Sequence, residues 1–349
     1  MAFRKAGALQ HFRACAQLLD RSALPNICGV SGAMARILAR EKRRDPLIAI
    51  VGPTASGKSD LGVRLAKEFD GEIVSADSRQ VYKGLDIGSG KITKKEMMGV
   101  PHHLLDVALP KHTFSVDRYQ TLARKAIRGI QKRGKLPIVV GGTPFYVYAV
   151  VDGYVFPEVK PNPKLRKELE QLSIGQLLEK LKKLDPRRAE SIEQKNKRRL
   201  VRALEIVMTT GKPVPELKKA APLFDVLMVG MRRSPQELKK RIHKRLLNRL
   251  AHGMVDEVEQ LHKNGLSWKR LEEFGLEYRF VAQYLSRYAR SGADRQKKIS
   301  YKEMINSIQK ESEDFARRQM LWFKRDPRIH WVSTYSEASQ LLGDYLKRS

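Results

Sequence analysis

The apolar positions of this chain fall into two alternating rhythms. Residues 47–51 (LIAIV), 72–76 (EIVSA), 103–107 (HLLDV), 136–142 (LPIVVGG) and 225–231 (DVLMVGM) are short aliphatic runs that read as buried strands. The segments between them read as helices. Leu61, Leu65 and Phe69 recur at helical spacing across 59–69, and 115–133 is a longer helical stretch beginning after Thr113 and Phe114. Strands alternating with helices predict a parallel α/β sheet, in which ligands sit at the carboxyl ends of the strands. Gly52, Asp77 and Gly141 all fall at such ends.

Between Pro157 and Pro222 the rhythm changes. Pro157, Pro161 and Pro163 open a charged, helical stretch with few strand signals, rich in Lys and Arg up to the run at 195–202. It reads as a helical insertion between sheet strands. The last third returns to helix. Ser234-Pro235-Gln236-Glu237 is a capping-box pattern with proline at the first helical position, predicting a helix to about Gly253. Leu238, Ile242, Leu246 and Leu250 form its apolar stripe, and Arg241, Arg245 and Arg249 run beside it at four-residue spacing. Ser300-Tyr301-Lys302-Glu303 repeats the capping pattern, for a helix ending before Pro327. The expected fold class is α/β, a P-loop NTPase-like parallel sheet flanked by helices with an inserted helical domain. The expected divisions are 1–45 as an N-terminal extension, 46–157 as the α/β core, 158–222 as the insertion, and 223–349 as a return to the core plus C-terminal helices.

The candidate chemistry starts at Gly52-Pro53-Thr54-Ala55-Ser56-Gly57-Lys58-Ser59, which fits G-x-x-x-x-G-K-[ST]. A strand before it and a helix after it aim backbone N–H groups and a helix N-terminus at one anion. Lys58 adds a point charge, and the Ser59 hydroxyl suits Mg²⁺. The motif calls for a phosphate ester without saying which. Asp77 follows the second strand and could bind Mg²⁺, act as a general base, or cap a helix. Thr143 follows two glycines that let backbone approach a ligand, or marks a plain turn. Arg241 carries a guanidinium suited to diphosphate, or sits on a solvated helix face. His102 and His103 read as structural, since no third metal-type residue lies at useful spacing, and Asp106 ranks low as an acidic neighbour of Mg²⁺.

Charge narrows the partner. Lys and Arg number 68 against 38 Asp and Glu, a net charge of +30, and a polyanion is the economical explanation. No apolar run reaches the roughly 18 residues that span a bilayer, so the protein should be soluble. On charge alone DNA, RNA and an anionic membrane all stay open, and no membrane partner is expected once the motifs below are added. Cys15 and Cys28 form no metal or disulfide pattern, and a cytoplasmic setting is the default. Residues 14–24 could form a short helix and 36–44 are basic, with no clear signal peptide.

Six blocks in order, GPTASGKS, SADSRQVYKGLDIGSGK (75–91), PHHLLDV (101–107), VVGGTPFY (139–146), RRLVRALEIVMTTGKP (198–213) and ARRQMLWFKRDPRIHW (316–331), resemble the tRNA dimethylallyltransferase family, also called tRNA isopentenyltransferases. The resemblance covers about 48–331. It implies dimethylallyl diphosphate as donor, held by the phosphate loop with Mg²⁺. The implied acceptor is the exocyclic amine of an adenosine beside the anticodon of tRNA, presented on the anticodon stem-loop, to a monomeric enzyme. Asp77 matches the general base, and Thr143 and Arg241 match residues that stabilise diphosphate. Asp77, Ser78, Arg79 and Gln80, with Arg198, Arg199 and Arg202, match tRNA-contacting stretches. Two departures stand out. Where most members carry glycine-tyrosine-(arginine/lysine), this chain reads Gly275-Leu276-Glu277-Tyr278-Arg279, and Ser312-Glu313 replaces threonine-arginine. The rival readings are an ATP-dependent small-molecule kinase, a non-catalytic or ATP-driven RNA-binding protein, and a transferase acting on free adenine nucleotides.

Overall fold

The computed structural model describes residues 45–286 and 299–348; the expectations placed on the segment before residue 45, including Cys15 and Cys28, lie outside them. Eight strands are described: β1 (Pro46–Val51), β2 (Gly71–Ser75), β3 (His102–His103), β4 (Leu136–Gly141), β5 (Tyr154–Val155), β6 (Lys218–Lys219), β7 (Asp225–Met231) and β8 (Ile329–Val332). The helices are α1 (Lys58–Glu68), α2 (Lys94–Met97), α3 (Val116–Lys132), α4 (Pro144–Val151), α5 (Pro163–Gln171), α6 (Ile174–Leu184), α7 (Pro186–Ser191) and α8 (Lys197–Thr210). They continue with α9 (Pro235–Ala251), α10 (Met254–Lys263), α11 (Trp268–Glu273), α12 (Leu276–Ser286), α13 (Tyr301–Phe323) and α14 (Tyr335–Arg348).

Six strands form one sheet in the order β3-β2-β4-β1-β7-β8, every pairing parallel. The α/β class is as expected. Along β1 the side chains alternate between two buried faces. Leu47, Ala49 and Val51 join a core with α3, α4 and the C-terminal helices, while Ile48 and Ile50 join Leu61 and Leu65 of α1 and Leu342 of α14. With both faces covered, the central strands carry almost no polar residue.

Two strand expectations change. The strand expected at 103–107 is instead His102–His103, and only His103 of the run belongs to it, because Leu104 (φ 67) and Asp106 (φ 56) turn left-handed. The turn lets Ala108 donate its N–H to Val81 O at 2.9 Å. β8 escapes the hydrophobic pattern because four residues at a sheet edge, with His330 exposed, make too short a signal.

The helices α5 to α8 share a core of their own, including Leu169, Leu177, Leu181, Leu200 and Leu204. The chain leaves and rejoins the sheet region through an antiparallel ribbon that pairs Tyr154 with Lys219 and Val155 with Lys218. Within this segment Glu205 is fully buried and accepts from the Asn162 N–H at 2.7 Å, from Arg166 Nη2 at 2.7 Å and from Arg202 Nη1 at 2.5 Å.

Gly141 ends β4 where only a glycine fits. A Cβ there would stand 2.1 Å from Ala76 O, so the ends of β2 and β4 meet backbone to backbone. That contact joins the chain segments carrying Asp77 and Thr143.

Candidate active site

Strand β1 runs into the glycine loop and the loop into α1, whose first turn leaves its N–H groups without intrahelical partners. Gly57 takes φ 95 and Ala55 takes φ 61. The Ala55 conformation is unusual for a residue with a Cβ. Its methyl is fixed by Ile242 of α9 and Ala316 of α13. Three side chains from the C-terminal region hold the loop's backbone and hydroxyls. Gln319 accepts from the Thr54 N–H at 2.7 Å, Arg233 donates from Nε to Ser56 O at 3.2 Å, and Arg245 donates from Nη2 to Thr54 Oγ1 at 3.3 Å.

The second glycine loop faces the first. Gln319 also donates from Nε2 to Gly142 O at 2.5 Å, so one amide spans both loops. A Cβ on Gly142 would meet that Nε2 at 2.4 Å and would stand 3.3 Å from Lys58 Nζ. Lys58 Nζ donates to Pro53 O at 3.1 Å. Thr143 Oγ1, instead of capping α4, accepts from the Ser78 N–H at 3.1 Å. Asp77 does not cap a helix. Its Oδ1 accepts from the N–H of Arg79 at 2.9 Å and of Gln80 at 3.4 Å, forming a side-chain-to-backbone turn that leaves the residue partly exposed. The aromatic floor beneath is Tyr119 stacked on Tyr146 at 4.0 Å, with Tyr119 Oη donating to Ser75 O.

The electrostatics are those of a site short of negative charge. Burial, then the neighbouring Arg245, lowers Lys58 from its ordinary 10.5 to about 8, with Asp77 pulling the other way. Burial first, then Arg249, also opposes the charge on Arg245. Both cations rest against neutral oxygens, and a bound anion would relieve both.

The sequence candidates separate here. Lys58, Asp77, Gly142 and Thr143 come together through the contacts above. Arg241 lies at the rim, with Nε on Glu237 at 2.9 Å and Nη1 3.9 Å from where a Cβ on Gly57 would stand. Glu237 therefore completes no capping box; Ser234 caps the Glu237 N–H, and the carboxylate turns to Arg241. Ser78 is exposed and Arg79 buried. Arg198 and Arg199 are exposed on the first turn of α8, whereas Arg202 is tied to Glu205. Arg233, Arg245 and Gln319 are the residues the sequence reading missed. Arg245 stood in the noted arginine stripe, and Gln319 stood in the A-R-R-Q block without a role. His102 and His103 are structural, bonded to Val100 O and to Glu72. Asp106 pairs with Lys91 at 2.5 Å.

Among the described residues no group of three or more His, Cys, Asp or Glu could hold a metal, and no helix is long and apolar enough to cross a membrane. The donor set nevertheless fits Mg²⁺ of one kind. An exposed Ser59 hydroxyl beside an anion seat suits an ion that keeps its waters and takes further ligands from phosphate oxygens.

Residues 80–326 match the family model for IPP transferase. The tRNA dimethylallyltransferase 1 of Geotalea uraniireducens is 42% identical over 292 residues, covering 82% of this chain and 92% of that protein. The tRNA dimethylallyltransferase of a Roseiflexus species is 42% identical over 301 residues, covering 85% and 95%. Among solved structures, the tRNA isopentenylpyrophosphate transferase of Bacillus halodurans is 34% identical with a TM-score of 0.63, covering 87% of this chain and 96% of that one. A eukaryotic dimethylallyltransferase, described as acting on tRNA, is 27% identical with a TM-score of 0.70, covering 87% and 80%. The chain belongs to the IPP transferase family. It is an enzyme, a prenyltransferase.

For an IPP transferase with glutamate at 277, the structure supplies the counterpart. Glu277 is buried and bridges two arginines, Arg79 Nη1 at 2.5 Å and Arg249 Nη1 at 2.6 Å. Arg249 also donates to Gly88 O at 3.2 Å. Next to it, Tyr278 Oη donates to Glu257 at 2.8 Å, and Glu257 accepts from the N–H groups of Asp86, Ile87 and Gly88. The whole 79–89 loop is thereby fastened to α9, α10 and α12. Glu313, the other departure, accepts from Gln309 Nε2 along its own helix at 2.5 Å.

Burial alone would raise the Glu277 carboxyl, but Arg79 and Arg249 hold it at about 2, below its ordinary 4.5. A carboxyl lowered in the folded state adds stability above its unfolded value, and that stability drains away as pH falls toward the folded one. Glu277→Gln leaves two buried guanidiniums unpaired and should cost about 3–5 kcal/mol at pH 7. Denaturant melts from pH 7 down to pH 2.5 should show the wild type losing its advantage over the variant below about pH 4.5. Parallel curves throughout would mean that the pair carries no such linkage.

Proposed function

We propose that this enzyme transfers a dimethylallyl group from dimethylallyl diphosphate to the N6 amine of an adenosine adjacent to the anticodon of tRNA, releasing diphosphate. The observation that carries the reading is the meeting of the two glycine loops under one glutamine, which brings Lys58, Arg245 and Thr143 around one anion seat with Asp77 next to Thr143. The relatives' naming as dimethylallyltransferases of tRNA favours the same transferred group and an acceptor in tRNA.

The reaction asks for what these residues can do. The adenine amine is a weak nucleophile because its lone pair is delocalised into the ring. As it attacks the allylic carbon, positive charge builds on nitrogen. Asp77, its carboxylate oriented by two backbone N–H groups, accepts the proton, a role typically worth ~10²–10⁴-fold. The C–O bond to diphosphate breaks and negative charge grows on the leaving group. Lys58, the N–H groups opening α1, Thr143 and the guanidiniums of Arg245 and Arg241 oppose that charge without needing to reorganise. Mg²⁺ beside Ser59 would neutralise part of the diphosphate charge. The adenine must leave its stack to reach Asp77, as base-modifying enzymes require. The exposed Arg198 and Arg199 belong to the electrostatic grip on RNA, while the buried Arg79 acts by fixing the Asp77 turn.

Labelled dimethylallyl diphosphate offered with bulk tRNA, with AMP, or beside ATP separates the readings. Label should enter tRNA alone, and Asp77→Asn should cut turnover by at least a hundredfold with tRNA binding intact; label in AMP, or ATP hydrolysis without label, would overturn the proposal. The charge on Lys58 gives a second check. Below about pH 8 the ammonium faces the diphosphate, and above it the charge is lost. The donor KM should rise several-fold between pH 7.5 and 9.5, and Lys58→Arg should flatten that rise. An equal rise in the variant would remove Lys58 as its source. Finally, Arg198→Ala with Arg199→Ala should weaken tRNA binding and reduce the slope of log affinity against log salt by about 2, leaving donor KM unchanged. An unaltered slope would move the RNA grip elsewhere.

A further inference from the structure

Three aromatic rings stand beside Thr143 without any part in the diphosphate chemistry. Phe145 lies in the first turn of α4, two residues after Thr143, and is 43% exposed. Its ring centroid is 6.1 Å from that of Tyr154 and 5.8 Å from that of Phe156, and those two are 6.3 Å apart. The next residue of α4, Tyr146, points the other way into the core and stacks on Tyr119 below the Asp77 turn. One helical turn thus carries an inner ring under the site and an outer ring beside it. Tyr154 lies in β5 and Phe156 just after it, leading into the basic helical segment, and the partner strand carries the exposed Lys218 and Lys219, the latter paired with Asp152 at 2.9 Å.

A core-forming cluster would hide Phe145. Here a large ring is left open at the site's edge, next to cations on a neighbouring strand. Aromatic faces flanked by lysines are what an unstacked nucleobase and its phosphate require, since every base offers a π-face and every linkage a negative charge. The exposed Lys218, the basic helical segment beyond the ribbon and the net charge of +30 favour RNA over an apolar protein segment as the occupant.

We infer that Phe145, Tyr154 and Phe156 form a stacking seat for an unpaired nucleobase flanking the acceptor adenosine, with Lys218 near enough to take an adjoining phosphate. The seat rests on the tRNA-modifying reading above. Its role is positional: holding the neighbour base in place keeps the target adenosine turned out of the loop, and the rings touch no reacting atom.

The test uses the full chain and an anticodon stem-loop RNA carrying 2-aminopurine on either flank of the target. Binding to the wild type should change the fluorescence at one flank, and Phe145→Ala with Phe156→Ala should abolish that change. The RNA KM should rise about tenfold, with donor KM within twofold. Phe145→Leu keeps apolar area but loses the π-face, so it should keep the wild-type melting temperature yet raise RNA KM, while Phe145→Tyr should behave as wild type. If Phe145→Leu matches the wild type, or neither flank responds, the seat is overturned and the rings are packing alone. If the flank responds but no label reaches RNA, the seat stands and the transfer reading fails.

Discussion

Positive charge that the fold buries without matching negative charge is the constraint around which this molecule is organised. Arg79 and Arg249 share the single carboxylate of Glu277, while Lys58 and Arg245 are left with a carbonyl and a hydroxyl. Desolvated cations facing neutral oxygens are unfavourable, and the lowered Lys58 value expresses that cost. The cost persists because the sheet, α9 and α13 over-determine the positions of the groups. Such a site is prepared for an anion before the anion arrives, which is the condition under which fixed charges speed a reaction that generates one.

How much of this the sequence carried depends on how local each part is. The phosphate loop is one strand, one turn and one helix start in succession, so eight adjacent residues specify it. Asp77 and Thr143 were legible as strand ends because parallel sheets gather those ends on one side. The arginine stripe was legible as a stripe but not as three environments. Arg241, Arg245 and Arg249 repeat every four residues, yet the side chain of the first is 45% exposed and that of the last 9%, because the helix dives from the rim into the core. Periodicity gives the face of a helix and not its tilt, so it does not tell that Arg245 makes the loop contact while Arg241 stays at the rim.

Long-range partners were invisible for the same reason. Gln319 meets Thr54 across 265 residues, and nothing near either one marks the other. In the sequence Glu277 stands out only as a glutamate before the tyrosine of the glycine-tyrosine-(arginine/lysine) element. It is the counter-charge to Arg249, and a departure of this kind acquires meaning only when its spatial partner is known. Once paired, it explains how the 79–89 loop tolerates two buried guanidiniums, and why Tyr278 follows it: the tyrosine hydroxyl donates to Glu257 and accepts from the Ser89 N–H at 3.0 Å.

The Gln319 strap also decides where an anion can be gripped. With the Thr54 N–H given to Gln319 and the Ser56 N–H bonded to Pro53 O at 3.3 Å, the loop's first half has spent donors that a phosphate would want. The Ser56 hydroxyl is buried without a partner, 3.1 Å from where a Cβ on Gly52 would stand, so that half is closed to ligand as well as to side chains. The donors that remain include those of Gly57 and the opening of α1, where the helix end adds its own positive potential. Arg233 and Arg241 both reach to within 3.9 Å of a Cβ position on Gly57. In the transfer proposed above, the charge of the leaving diphosphate would fall on the helix end and the rim arginines, with Lys58, Arg245 and Thr143 beside them. The strapped half of the loop serves to hold Lys58 and the second glycine loop at a fixed separation.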